Sequence, residues 1–176
     1  MSKLLYIVEG EIEERFIFQM QQSNRLLPGK RMKFNLMQKK IKQTDNIMTA
    51  QFDKVVCILD TDLSTESELE KLNYNINMLK QIAKSRILVA AQIYNFEDEL
   101  KRMVGTNKLS EVLNLKKSSQ KDIKKFLAQK VEYSTLNNID VSKYISRTNE
   151  FYNKITQFGL SYGKNVEFIL SMKQCK

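Results

Sequence analysis

The sequence predicts an α/β fold with a four-stranded, mainly parallel sheet that is flanked by helices. Four apolar runs, at residues 4–8, 32–36, 54–59 and 87–93, lack the polar alternation of a half-exposed strand. Such runs are typical of strands in a parallel sheet that is covered on both faces. Helical patterns lie between them, at residues 11–22, 45–51 and 66–84. This alternation of strand and helix predicts right-handed crossover connections.

After residue 93 the pattern becomes helical only, with candidate helices at 96–104, 110–113, 120–131 and 147–158. A last apolar stretch, residues 166–172, fits either an added edge strand or a final helix. We therefore predict an α/β core over residues 1–104. A mainly helical section over residues 105–176 is predicted to pack on that core.

The net charge of +9 is distributed unevenly over the 176 residues. Residues 1–100 contain 14 Lys/Arg and 14 Asp/Glu, whereas residues 101–176 contain 15 Lys/Arg and 6 Asp/Glu. A basic surface attracts polyanions, which makes nucleic acid the expected partner. A solubilising helical surface explains the same count about equally well.

Histidine is absent, and the two cysteines, Cys57 and Cys175, form no spaced framework. The absence of histidine excludes Ser-His and Cys-His catalysis and His-ligated zinc. The lack of a cysteine framework indicates a reducing cytoplasm. No apolar stretch is long enough to span a membrane. Any metal would be a hard cation held by oxygen atoms, such as Mg²⁺ or Mn²⁺.

Acidic residues follow three of the four predicted strands. Glu9 follows the first strand and Glu13 lies in the next helix, while Asp60 and Asp62 follow the third strand and Glu97 follows the fourth. In a parallel sheet these positions lie on one rim, which is where ligands bind. Converging carboxylates stay ionised together when a cation neutralises them, so this rim is a candidate Mg²⁺ site.

Each acidic element also has a purely structural explanation. Glu13 and Glu97 lie in first helical turns, where the helix dipole favours acidic residues. Asp60 and Asp62 could form a turn or begin the next helix. Gly10 would allow a metal or phosphate to approach the strand exit closely.

Two motifs resemble those of Toprim domains, which occur in topoisomerases, primases, small RNases and the OLD-type nucleases of phage defence. LLYIVEGEIEERF is similar to the opening Toprim motif of a strand, Glu-Gly and a second acidic residue, and KVVCILDTD is similar to the strand with Asp-x-Asp. AQIYNFEDEL further resembles the Phe-Glu element of RloB-like and abortive-infection Toprim proteins. The motifs span residues 3–100, and no glycine lies near Asp60-x-Asp62, as it would in the family pattern.

The resemblance implies that Glu9 binds metal or acts as a general acid or base, and that Asp60 and Asp62 hold Mg²⁺ or Mn²⁺. It also implies that Glu13 assists and that Glu97 is the third acidic position of this subgroup. OLD-type nucleases use a basic residue at the cleaved phosphate. Lys121 and Lys124 are candidates for that role here, although a solvated helix face also explains them.

The leading hypothesis is a cytoplasmic, metal-dependent nuclease that cleaves DNA or RNA in defence against phage. The alternative is a catalytically weak Toprim-like regulatory or nucleic-acid-binding subunit that partners an ATPase. A primase or topoisomerase fragment fits less well, because the chain lacks room for their additional domains.

Gly159 to Lys164 only superficially suggests a phosphate loop, since three residues separate the glycines and Asn165 replaces Ser or Thr.

Overall fold

The computed structural model describes residues 3–45, 52–61, 65–92, 94–115, 119–129, 131–133 and 139–144. Four strands form one sheet in the order β2-β1-β3-β4, and every neighbouring pair is parallel. The strands are β1 (Leu4–Val8), β2 (Lys30–Lys33), β3 (Phe52–Asp60) and β4 (Ala83–Gln92). The predicted α/β fold with a four-stranded parallel sheet and flanking helices is therefore confirmed.

The described helices are α1 (Glu11–Gln22), α2 (Glu66–Lys80), α3 (Phe96–Val104), α4 (Leu109–Val112) and α5 (Gln120–Gln129). Local chemistry explains several of their ends. Thr65 and Glu68 form a reciprocal capping box at the start of α2. Asn95 accepts a hydrogen bond from the Asp98 N–H at the start of α3, and Gly105, with φ of 73°, ends this helix.

Helices cover both faces of the sheet, and each face has its own hydrophobic cluster. One cluster joins β-strand side chains such as Tyr6 to Phe16 of α1 and Phe96 of α3. The other joins the alternate strand positions, such as Ile7, to Leu72 of α2. Two-sided burial explains why these strands lack polar alternation. The contact between the Phe16 and Phe96 rings brings α1 next to the start of α3 on one face of the sheet.

The described residues after Val104 pack on the face that carries α1 and α3. Their buried side chains join the same hydrophobic cluster; these are Leu109, Leu113, Leu127, Val131, Tyr133, Ile139 and Tyr144. The amide of Gln19 donates to the Val131 carbonyl at 3.0 Å, and its oxygen accepts the Tyr133 N–H. Because these hydrogen bonds are buried, they fix the position of residues 131–133 against α1.

Several predicted boundaries differ from the observed ones. β2 begins and ends earlier than the predicted 32–36, because this edge strand is basic and the pattern followed the apolar residues beyond it. β4 begins at Ala83, inside the predicted helix 66–84, which ends as α2 at Lys80. The predicted helix 120–131 ends at Gln129, and the helix predicted at 110–113 is Leu109–Val112.

The predicted elements at 147–158 and 166–172, and all but one residue of the helix at 45–51, lie outside the described residues. None of the helices among the described residues combines the length and the apolar character that a membrane crossing requires.

Candidate active site at the strand exits

The rim where β1 and β3 end is the topological switch point of the sheet. β1 connects to β2 on one side, and the chain then returns to place β3 on the other side of β1. Loops that leave the two central strands in opposite directions open a crevice, and ligands of open α/β sheets bind there. Glu9 and Asp60 lie at these two strand exits.

Glu9 is tied to both neighbouring strands. Oε1 of its carboxylate accepts a hydrogen bond from the Asp60 backbone N–H at 3.3 Å. Oε2 accepts a hydrogen bond from Nδ2 of Asn35 at 3.0 Å. The carboxylate therefore lies across the switch point instead of extending into solvent. Asn35 was missed by the sequence prediction, because the predicted strand 32–36 placed it within β2 and not after it.

Asp60 is the last residue of β3 and is half-buried, opposite Gln92 of β4. Oδ1 of Asp60 is shielded from solvent. The next residue, Thr61, closes the exit by donating its hydroxyl to the Gln92 carbonyl at 2.7 Å. The Tyr94 N–H in turn donates to the Thr61 hydroxyl at 3.2 Å. Asp62, the second acidic residue predicted on this loop, lies outside the described residues.

Glu13 is buried at the start of α1, where its carboxylate folds back over the helix end. Burial raises the pKa of Glu13, hydrogen bonds from its own N–H and from the Gly10 N–H lower it, and the nearby charge of Glu97 raises it. A Cβ at Gly10 would lie 2.8 Å from Oε2 of Glu13. The missing side chain at Gly10 thus makes room for the Glu13 carboxylate beside the start of α1, where the helix dipole favours an acidic residue.

Glu97 is buried in the first turn of α3, on the side that faces α1. No described residue donates a hydrogen bond to its Oε1, which is shielded from solvent. Nζ of Lys124 on α5 lies 3.6 Å from this atom. The neighbouring acidic residues have other roles, because Asp98 pairs with Lys101 at the surface and Glu99 pairs with Arg102.

Of the two lysines predicted to contact phosphate, Lys124 reaches the acidic rim and Lys121 is exposed on the same helix. Lys124 also lowers the pKa of Glu13, after the larger effects of burial and hydrogen bonding. It therefore faces both Glu13 and Glu97. The phosphate-contacting role of Lys121 stays a prediction.

Four aromatic rings pack beneath the Glu13–Glu97 pair. Phe16 contacts Phe96, Tyr133 and Tyr144 with ring centroids 5.0–5.4 Å apart. Nε2 of Gln92 donates to the Tyr144 hydroxyl at 3.0 Å. Burial raises the pKa of Tyr144, and the charges of Glu13 and Glu99 raise it further, so this hydroxyl stays protonated. The four rings are buried, and their packing holds the starts of α1 and α3 in place.

The donor chemistry at the rim suits a hard divalent cation, although the described side chains do not assemble a cluster. No group of three or more His, Cys, Asp or Glu in the described ranges is arranged to hold a metal ion. Mg²⁺ usually keeps several waters and needs only one or two carboxylates. Glu9 and Asp60 supply one carboxylate each at adjacent strand exits, and the shielded Oε1 of Glu97 is a further acceptor near the rim.

The chain matches no protein-family model, no curated protein and no solved structure. The resemblance to Toprim domains therefore stays a prediction that depends on the motif residues.

Proposed function

We propose that the chain is a Toprim-type nuclease that uses Mg²⁺ or Mn²⁺ to cleave phosphodiester bonds in DNA or RNA. The observation that carries this proposal is the hydrogen bond from the Asp60 N–H to the Glu9 carboxylate at the switch point. It brings two acidic strand exits together at the position where open α/β sheets bind their ligands. The Toprim motifs around the same residues support the assignment.

In this proposal Glu9 and Asp60, with Asp62, hold the ion. When bound, the ion would lower the pKa of a coordinated water and offset the charge of the phosphodiester. Asn35 orients the Glu9 carboxylate through its hydrogen bond. Lys124 has the charge and reach to stabilise a phosphate near Glu97.

The test is nucleic-acid cleavage by the purified chain with Mg²⁺ or Mn²⁺. Asp60→Asn should reduce the rate on the order of 100-fold or more, since it removes a ligand charge and keeps the shape. Asp53→Asn is the matched control, because Asp53 is near the opposite end of β3 and accepts the Lys3 N–H. Cleavage that persists in EDTA and in the Asp60→Asn variant contradicts the proposal.

A second candidate is a Toprim-like subunit that regulates a partner ATPase or binds nucleic acid with little catalysis. It is favoured by one observation, which is that the rim carboxylates already have partners within the chain. Glu9 accepts two hydrogen bonds, Glu13 caps α1, and Glu97 lies beside Lys124. A stable complex with an ATPase, together with no cleavage by the isolated chain, would identify this function.

We further propose that the protein acts in the cytoplasm in defence against phage. The cytoplasmic assignment is supported by Cys57, which is a free, buried cysteine in β3. The defence role depends on the motif resemblance. Phage plating on cells that express the wild type or the Asp60→Asn variant tests it, with protection expected from the wild type only.

A further inference from the structure

A strongly basic segment lies within residues 1–100, whose overall charge is balanced. Residues 25–42 contain seven Lys/Arg and no Asp/Glu. We call this surface the basic edge; its cations are Arg25, Lys30, Arg31, Lys33, Lys39, Lys40 and Lys42. All of them are exposed except Arg31, which is half-buried. The zero net charge of residues 1–100 conceals this concentration of charge.

The basic edge runs along β2, which is an edge strand of the sheet. Within the described residues β2 pairs only with β1. Charged side chains on an edge strand often serve to prevent pairing with other chains. That explanation accounts for the cations on β2 itself. It does not account for Arg25 before the strand or for Lys39, Lys40 and Lys42 after it.

Two exposed aromatic rings border the basic edge, and each makes a cation–π contact with one of its cations. Arg31 lies 4.7 Å from the centre of the Phe18 ring, and Lys40 lies 5.0 Å from the centre of the Tyr74 ring. Phe18 is 42% exposed and Tyr74 is 41% exposed. Phe18 belongs to α1 and Tyr74 to α2, so the rings flank the edge on opposite faces of the sheet.

The basic edge is continuous with the acidic rim. Nζ of Lys33, the last residue of β2, lies 2.9 Å from Oε1 of Glu11 at the start of α1. Two residues later, Asn35 donates its hydrogen bond to Glu9. A polyanion bound along β2 would therefore end at the strand exits where the proposed chemistry takes place.

We infer that the basic edge binds single-stranded nucleic acid, with phosphates on its lysines and arginines and unpaired bases on Phe18 and Tyr74. Cations interleaved with exposed aromatic rings are the combination that single strands require, whereas a duplex keeps its base faces stacked. An acidic membrane surface fits less well, because membrane binding needs a continuous apolar face and these rings are on opposite faces of the sheet. The inference deepens the proposed nuclease function, and rests on it, by naming the substrate class and where it binds.

The experiment is fluorescence anisotropy with labelled oligo-dT and oligo-U of about 20 nucleotides, in EDTA so that no cleavage occurs. One variant, R25Q/K30Q/K39Q/K42Q, neutralises four exposed cations of the basic edge and leaves the ring-bound Arg31 and Lys40 in place. The matched control removes the same charge from α3 and the C-terminal section, as K101Q/K108Q/K125Q/K143Q, and leaves the candidate phosphate contacts Lys121 and Lys124 in place.

The basic-edge variant should bind single strands at least about tenfold more weakly than the wild type. The slope of log affinity against log salt concentration should become shallower by about 0.7 for each phosphate that the variant no longer neutralises. The control should change affinity less than about threefold. Equal weakening by both variants would show an effect of net charge alone and would overturn the inference. So would unchanged binding by a folded basic-edge variant.

A second variant, Phe18→Leu with Tyr74→Leu, keeps every charge. It should weaken binding of single strands and leave duplex binding unchanged, and equal weakening for both overturns the stacking role. Binding of phosphatidylserine vesicles in place of oligonucleotides would assign the surface to membranes and overturn the inference. Because anisotropy in EDTA measures binding without cleavage, failure of the catalytic proposal and failure of this inference give different results.

Discussion

The Lys124 ammonium lies 3.6 Å from Oε1 of Glu97, so a residue of the C-terminal section neutralises a carboxylate of the α/β core. Glu97 is buried beside the buried Glu13, and the two negative charges repel each other. Lys124 is a positive charge that faces both carboxylates. It therefore occupies the electrostatic role that a bound divalent cation would take.

Lys124→Gln should make the protein more dependent on divalent cations. Removing the ammonium should lower the free energy of unfolding in EDTA by about 1 kcal/mol, since Lys124 itself is partly exposed. Added Mn²⁺ should recover more stability in this variant than in the wild type. Thermal unfolding with and without Mn²⁺ measures both effects. Lys121→Gln is the control, and an identical response from the two variants would contradict the role given to Lys124.

Glu13 should make the protein less stable as the pH rises from acid towards neutrality. Burial raises the folded-state pKa of Glu13 above its usual 4.5. The folded state therefore holds the proton more tightly, and stability is lost as the pH rises through the folded pKa. Glu13→Gln should remove this loss, so its stability relative to the wild type should increase above pH 4.5 and then level off.

Glu11→Gln provides the matched control for Glu13, because it changes the same helical turn. The hydrogen bond from Lys33, and then its charge, lower the pKa of Glu11. Its stabilising contribution is therefore present above the usual pKa and is lost as the pH falls. Urea unfolding in EDTA across acidic pH should give opposite trends for the two variants. Parallel trends would show that ionisation of Glu13 does not destabilise the folded state.

The sequence predicted the parts of the fold where burial and pattern agree. β1, α1 and α3 have the predicted bounds, because apolar runs and helical periodicity both mark them. β2 was displaced because an edge strand needs no apolar run, and its letters KRMK resemble a loop. The start of β4 was hidden by the polar sequence AKSR, which continues the helical pattern of α2.

The candidate site was predicted in its acidic residues but not in its partners. Glu9 and Asp60 were found because each follows an apolar strand, and parallel strands bring their exits to one rim. Asn35 and Gln92 carry no comparable signal, since a single polar residue after or within a strand is common. Lys124 was one of two candidate lysines, and only packing of α5 against the core distinguishes it from Lys121.

Asn75 should be a major contributor to stability, because it holds the loop after β2 against α2. It is fully buried, accepts the Ile41 N–H at 2.7 Å, and donates to the carbonyls of Leu36 and Lys39 at 2.6 and 2.7 Å. Asn75→Ala leaves these groups without their partner and should cost about 2–3 kcal/mol in urea unfolding. Asn77→Ala changes an exposed position of the same helix and should cost less than about 1 kcal/mol.

The hydrogen bonds of Asn75 to the loop after β2 also connect stability to the proposed binding surface. The loop that Asn75 holds includes Lys39 and begins just after Asn35, so loosening it should weaken oligonucleotide binding as well. Anisotropy at a temperature where Asn75→Ala is fully folded separates the two effects. Unchanged affinity in the folded variant would show that the loop needs no fixed position to bind.

Two ion pairs on α3 offer a comparison of buried and exposed charge within one helix. Glu99 is completely buried and pairs with Arg102 through both terminal guanidinium nitrogens, Nη1 and Nη2. Arg102 also donates to the Lys143 carbonyl, which ties the C-terminal segment to α3. Asp98 and Lys101 form a pair with the same spacing at the surface, 2.7 Å apart.

Arg102→Met should therefore cost about 3 kcal/mol, because it leaves the Glu99 carboxylate buried without its cation. Lys101→Met should cost less than about 1 kcal/mol, since water solvates Asp98 when its partner is removed. Combining Arg102→Met with Glu99→Leu should recover part of the stability, because no buried charge then remains. Urea unfolding of the three variants measures these differences. A double variant as unstable as Arg102→Met alone would show that the hydrogen bond to Lys143, and not the charge of Glu99, dominates.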